Sequence, residues 1–152
     1  MKKLFLFLIV LVANATVSQA QILSFTATTG DLEMNNILTD IHNRAIKDIT
    51  TFKNDVVSTF NLVNSKVDAA LQLLAPGDLF MAAQLSVSIN KPFEEVVQTY
   101  HANKSKGWGA IAKEMGIKPG SAEFHAMKKS MKSKGGAGKA KEKGKGNGKK
   151  KK

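Results

Sequence analysis

An all-α fold follows from three features of the 152-residue chain. Between residues 31 and 132 apolar side chains recur at steps of three and four, no alternating strand pattern competes, and Asn, Pro and Gly cut the run into helix-length segments. The expected domain is a small one of four to six helices, preceded by an N-terminal signal peptide and followed by a disordered Lys/Gly-rich C-terminal tail. The boundaries read as 1–20 signal peptide, 21–30 flexible N-terminal segment, 31–132 helical domain and 133–152 polycationic tail.

The first twenty residues have the three parts of a secretory signal. Lys2 and Lys3 precede an apolar run from Leu4 to Ala13, and small residues at Ser18 and Ala20 set a cut between Ala20 and Gln21. The apolar run is ten residues long, against the ~20 that a membrane-spanning helix needs. The sequence therefore predicts an exported protein, periplasmic or secreted after cleavage.

Ile37, Ile41, Ala45, Ile49, Phe52, Val56, Phe60 and Val63 form one stripe along a long amphipathic helix. Ser65 to Leu74 follow, with Val67, Ala70, Leu71 and Leu74 on one face and Asn64 able to cap or break the chain before them. Ala75-Pro76-Gly77-Asp78 reads as a turn, since proline disfavours helical geometry in the residue before it. A helix from Asp78 to Ile89 is apolar over a wide arc, which predicts burial between neighbours. Pro92, with Glu94 and Glu95 in the first turn, opens another helix whose inner face is Phe93, Val96, Val97 and Tyr100. It runs out in the polar stretch His101 to Lys106.

The densest grammar lies in GWGAIAKEMGIKPGSAEFHAMKK, from Gly107 to Lys129. Trp108, Ile111, Ala112 and Met115 share a helical face, Gly116 supplies a left-handed stop, and Pro119-Gly120 turns the chain. Ser121 is a suitable N-cap for a last helix that points Phe124 and Met127 inward. The order GWG, IAK, GIKPGS, EFH resembles a segment of small exported bacterial proteins of unassigned function. The likeness extends more weakly over residues 35 to 130. It implies export and a helical fold, and carries no catalytic or ligand-binding residue.

Charge is concentrated at one end. Lys128 to Lys152 hold twelve lysines and one acid, Glu142, so this stretch accounts for the whole net charge of +11. Lys139, Lys141, Lys143, Lys145, Lys149, Lys150, Lys151 and Lys152 alternate or cluster among Gly and Ala with no aromatic or branched apolar side chain, a composition that cannot build a core. Flexible lysines attract phosphate and carboxylate polymers without reading sequence.

Chemistry of other kinds has little to stand on. The chain has no cysteine, which excludes disulfides, thiolate metal sites and a cysteine nucleophile. His42, His101 and His125 form no paired metal-ligand spacing, and adjacent Glu94 and Glu95 point in different directions on a helix. No G-x-S-x-G elbow or phosphate loop occurs. The first reading is thus a non-enzymatic interaction module without cofactor or metal. Its basic tail attaches to anionic polymers or a membrane surface, and Trp108, Lys113, Lys118 and His125 form the candidate interaction surface on the body. The second is nucleic-acid binding through a helix-turn-helix-like segment at 107–129, weakened by a long turn and by Ala122, Glu123, Phe124 and His125 on the presumed reading helix. The third and weakest is a metal-dependent or hydrolytic enzyme built on His101, His125 and Glu123. The specific partner is not encoded in any motif, and the long apolar stripe suits either an internal core or self-association.

Overall fold

The computed structural model describes residues 25–135. The expected signal peptide, its cut between Ala20 and Gln21, and the lysines from Lys139 to Lys152 lie outside the described residues. Seven α-helices and one short 3-10 turn are present, with no strand among the described residues. The all-α expectation holds, and the helix number exceeds the expected four to six.

Two of the additional ends come from breaks inside the predicted long helix. Helix α1, Leu32–Ala45, is capped by Asp31, whose carboxylate accepts from the Met34 amide at 2.9 Å. Helix α2, Ile49–Phe60, has its own cap in Asp48, which accepts from the Thr51 amide at 3.0 Å. The apolar period runs through this joint without a proline or glycine to mark it. Only the cap reveals the break, and the redirection leaves Ile49 and Val63, expected in the stripe, exposed. Asn61 ends α2 in the left-handed conformation at φ 52, a place where Asn is tolerated. Helix α3 is Asn64–Leu71.

Helix α4, Pro76–Ile89, begins inside the segment expected to be a turn. Ala75 is extended, as a residue before proline should be, and Pro76 occupies the first helical position, so Gly77 and Asp78 are helical. Every residue from Pro76 to Ser86 is buried. The wide apolar arc is explained by position, because α4 runs through the middle of the bundle against α1, α2, α3, α7 and the next helix, α5. Helix α5, Phe93–Ala102, buries the expected Phe93, Val96, Val97 and Tyr100. A 3-10 turn at Lys104–Lys106 leads into α6, Gly107–Glu114, and Gly116 stops that helix at φ 105. Helix α7, Ala122–Gly135, starts on Ser121, whose Oγ accepts from the Phe124 amide at 3.2 Å.

Both ends of the body extend past their expected limits. Residues 25–30, expected as a flexible lead-in, form an extended arm with Phe25, Ala27 and Thr29 turned inward. The Phe25 ring stacks on His42 at 4.7 Å and lies over Gly77, and the Thr28 carbonyl accepts from the Gly109 amide at 3.1 Å. At the other end Ser133 to Gly135, expected in the tail, complete α7. Gly135 packs on Ile41, and its carbonyl accepts from the Arg44 guanidinium. Lys128 pairs with Asp31 at 3.0 Å and Glu33 at 2.9 Å, and Lys132 also pairs with Glu33, which joins α7 to the start of α1.

The arm explains the two glycines around Trp108. A Cβ on Gly109 would stand 2.5 Å from the Thr29 carbonyl oxygen, and one on Gly107 would meet Thr28 at 2.9 Å. Replacing Gly109 by Ala should therefore cost about 1–3 kcal/mol by overpacking. In a chain lacking the arm the same change should instead stabilise by about 1 kcal/mol, through the better helix propensity of Ala. Urea unfolding of the four proteins in this cycle measures that reversal of sign.

Candidate functional site

Three residues far apart in sequence meet beneath the GWG segment. Asp78 is 3% exposed, and its Oδ1 accepts from Tyr100 Oη at 2.9 Å and from Trp108 Nε1 at 2.7 Å. The two rings lie parallel, with centroids 3.9 Å apart and 4° between their planes, so each presents its polar edge to the same oxygen. Buried Tyr and Trp side chains need such an acceptor. Burial raises the Asp78 carboxyl above its ordinary range, opposed by the hydrogen bonds from Trp108 and Tyr100 and by the nearby Lys104 and His42. Burial, and after it the neighbouring carboxylate, push the Tyr100 phenol far upward, which keeps it a donor.

This arrangement fixes α6 against α4 and α5, and above it lies an open cleft of about 620 Å³. Its floor is the arm at Thr28, Thr29 and Gly30. One wall is α6 with Gly109, Ala110 and Lys113, and the other is Pro119, Gly120, Phe124 and His125. Lys106 and Asp31 stand at the rim. Lys106 is held by Glu114 at 3.1 Å, and Asp31 is engaged by the Met34 amide and Lys128. These contacts, the Met34 amide first, hold the Asp31 carboxyl below its usual range. Lys113 forms no ion pair among the described residues.

Of the four residues expected to form an interaction surface, Lys113 and His125 both line this cleft. Lys118 is exposed outside its lining. Trp108 requires correction, because it is fully buried and cannot serve as a surface platform. Its flanking glycines receive the arm and do not uncover the ring. Among the described residues no group of three or more His, Asp or Glu is arranged to hold a metal ion. Helix α7 buries Met127 and Met131 against the bundle, and Lys128 is committed to Asp31 and Glu33.

Sequence reasoning missed Lys106, the arm backbone and Asp78. For the arm a signal existed in the alternation of Phe25, Ala27 and Thr29 and in the small residues flanking Trp108. Asp78 gave none, because its partners lie 22 and 30 residues away.

A second cleft, about 230 Å³, opens between α1 and α2 beside Lys134 and Gly135, and a third of about 190 Å³ lies between α3 and α5. Neither contains a residue expected to be functional. No protein-family model, curated protein or solved structure matches the chain.

Asp78 has an unusual pH signature. An acid with a raised folded pKa binds its proton more tightly in the native state, so its contribution to stability falls as pH rises from the model value of 3.8 toward the folded value. Asp78→Asn should remove that fall, so the stability difference between variant and wild type should grow in favour of Asn as pH is raised through this window. Asp78→Ala, which leaves two buried donors unpaired, should instead cost about 2–4 kcal/mol near pH 4, and that cost should shrink with the same pH trend because the dependence belongs to the wild type. Urea midpoints between pH 4 and 7 separate the two outcomes.

Proposed function

We propose that the protein is an exported, non-enzymatic interaction module that attaches to anionic surfaces or polymers through its lysine-rich C-terminal segment. The supporting observation is the segregation of charge. Residues 25–135 hold thirteen bases against eleven acids, and six of the lysines are in ion pairs: Lys53 meets Asp68 and Lys66 meets Glu94, each at 2.5 Å, Lys91 pairs with Glu95, Lys106 with Glu114, and Lys128 and Lys132 share Glu33. Residues 136–152 then carry eight lysines against one glutamate. The +7 of this segment is most of the net +11, and it starts directly after Gly135, the residue anchored to Ile41 and Arg44.

The surface ion pairs of the body contribute little individually to stability, about 0–1 kcal/mol each, and its near balance of bases and acids leaves it little net attraction for polyanions. A chain of lysines is different, because each contact with a polyanion releases a condensed counterion. Export is supported by the composition of the first twenty residues and by the resemblance of the GWG to EFH segment. Among the described residues no helix is long and apolar enough to cross a membrane.

The test compares the protein beginning at Gln21 with a form ending at Gly135. Ending at Lys132 would remove Gly135 and the Lys134 ammonium that sits 4.6 Å above the Phe60 ring, and would damage the body. Anionic vesicles, lipopolysaccharide and duplex DNA are the targets. The longer form should bind all three, with affinity for DNA falling roughly 10³–10⁴-fold between 50 and 200 mM salt if six to eight lysines make contact. The shorter form should lose this binding. Equal binding by both forms, or a shallow salt slope, refutes electrostatic attachment through the C-terminal segment.

A further inference from the structure

We propose that the cleft between α6 and α7 binds a small carboxylated sugar. This site is separate from the lysine-rich segment, and its occupancy does not depend on what that segment attaches to. Size is the first argument. A cleft of about 620 Å³ falls within the ~300–1,000 Å³ typical of small-molecule sites.

Charge is the second argument. Asp31, the only acid in the lining, already receives the Met34 amide and the Lys128 ammonium, and Lys106 is balanced by Glu114. What remains without an ion-pair partner is Lys113, in a lining that also holds His125. One free ammonium beside one imidazole matches a single carboxylate. A polyphosphate would leave most of its charge unanswered.

The third argument concerns shape. Gly30 and Gly120 line the cleft with open space where a side chain would stand, so a ring can approach the backbone closely there. The half-buried Phe124 ring flanks the same space and offers an apolar surface to the C–H face of a pyranose. The walls are held in place from behind. Trp108 is tied to Asp78, and the arm is clamped on Gly109, so the cleft needs little ordering when a ligand enters.

The test records amide NMR spectra of the full-length chain during titration with galacturonate, with neutral galactose and sodium acetate as comparisons. Galacturonate should shift the Gly30, Gly109 and Gly120 amides saturably, and the other two probes should do so much more weakly. Lys113→Gln, an exposed change, should weaken galacturonate binding about tenfold, the loss of one charge-assisted hydrogen bond. Phe124→Leu should weaken it without altering charge, with its own spectrum reporting whether the fold is intact. Shifts confined to residues beyond Gly135, an equal response to acetate, or undiminished affinity in Lys113→Gln would each overturn the assignment.

Discussion

A single buried carboxylate oxygen organises the upper half of the bundle. Asp78 Oδ1 receives the edges of Tyr100 and Trp108, which stack face to face, and so three helices are fixed by one acceptor. The cost is the burial of a carboxyl away from water, offset by two hydrogen bonds and by the proximity of Lys104 and His42. Because each ring is the only Tyr or Trp in the chain, no neighbouring aromatic can take over the role of either.

The tolerance for close approach follows from the same region. Gly77 admits the Phe25 ring, and Gly107 and Gly109 admit the backbone of Thr28 and Thr29. The arm in turn accepts hydrogen bonds from the Trp108 and Gly109 amides and lines the cleft. Trp108 and its two glycines therefore have divided tasks. The indole reaches down to Asp78, and the missing side chains on either side let the arm lie flat above it.

Local chemistry was legible in the sequence wherever a residue's role is decided by its neighbours. The buried face of α5 at Phe93, Val96, Val97 and Tyr100, the Gly116 stop and the Ser121 cap all stand as read. Misreadings occurred where the deciding contact is distant or two signals coincide. The period from Ile37 to Val63 survives the joint at Asp48, so periodicity alone could not divide α1 from α2. Pro76-Gly77-Asp78 has turn composition, and only the packing of α4 in the centre of the bundle draws it into a helix. Lys113 and His125 line one cleft with Lys106 and the arm, whose positions are set by tertiary contacts and leave no local mark in the sequence.

The two ends of the body close on one turn of α1. Phe25 covers His42, while Gly135 covers Ile41 and is bound by Arg44 across 91 residues of sequence. That turn can acquire its last neighbours only after almost the whole body has been synthesised. Contacts of such sequence separation form late, because the entropy of closing the loop must be met before they stabilise anything. A nascent chain should accordingly remain open until α7 emerges. The last helix then acts as the closing step of folding, and the body is sealed only once Gly135 has reached Ile41 and Arg44.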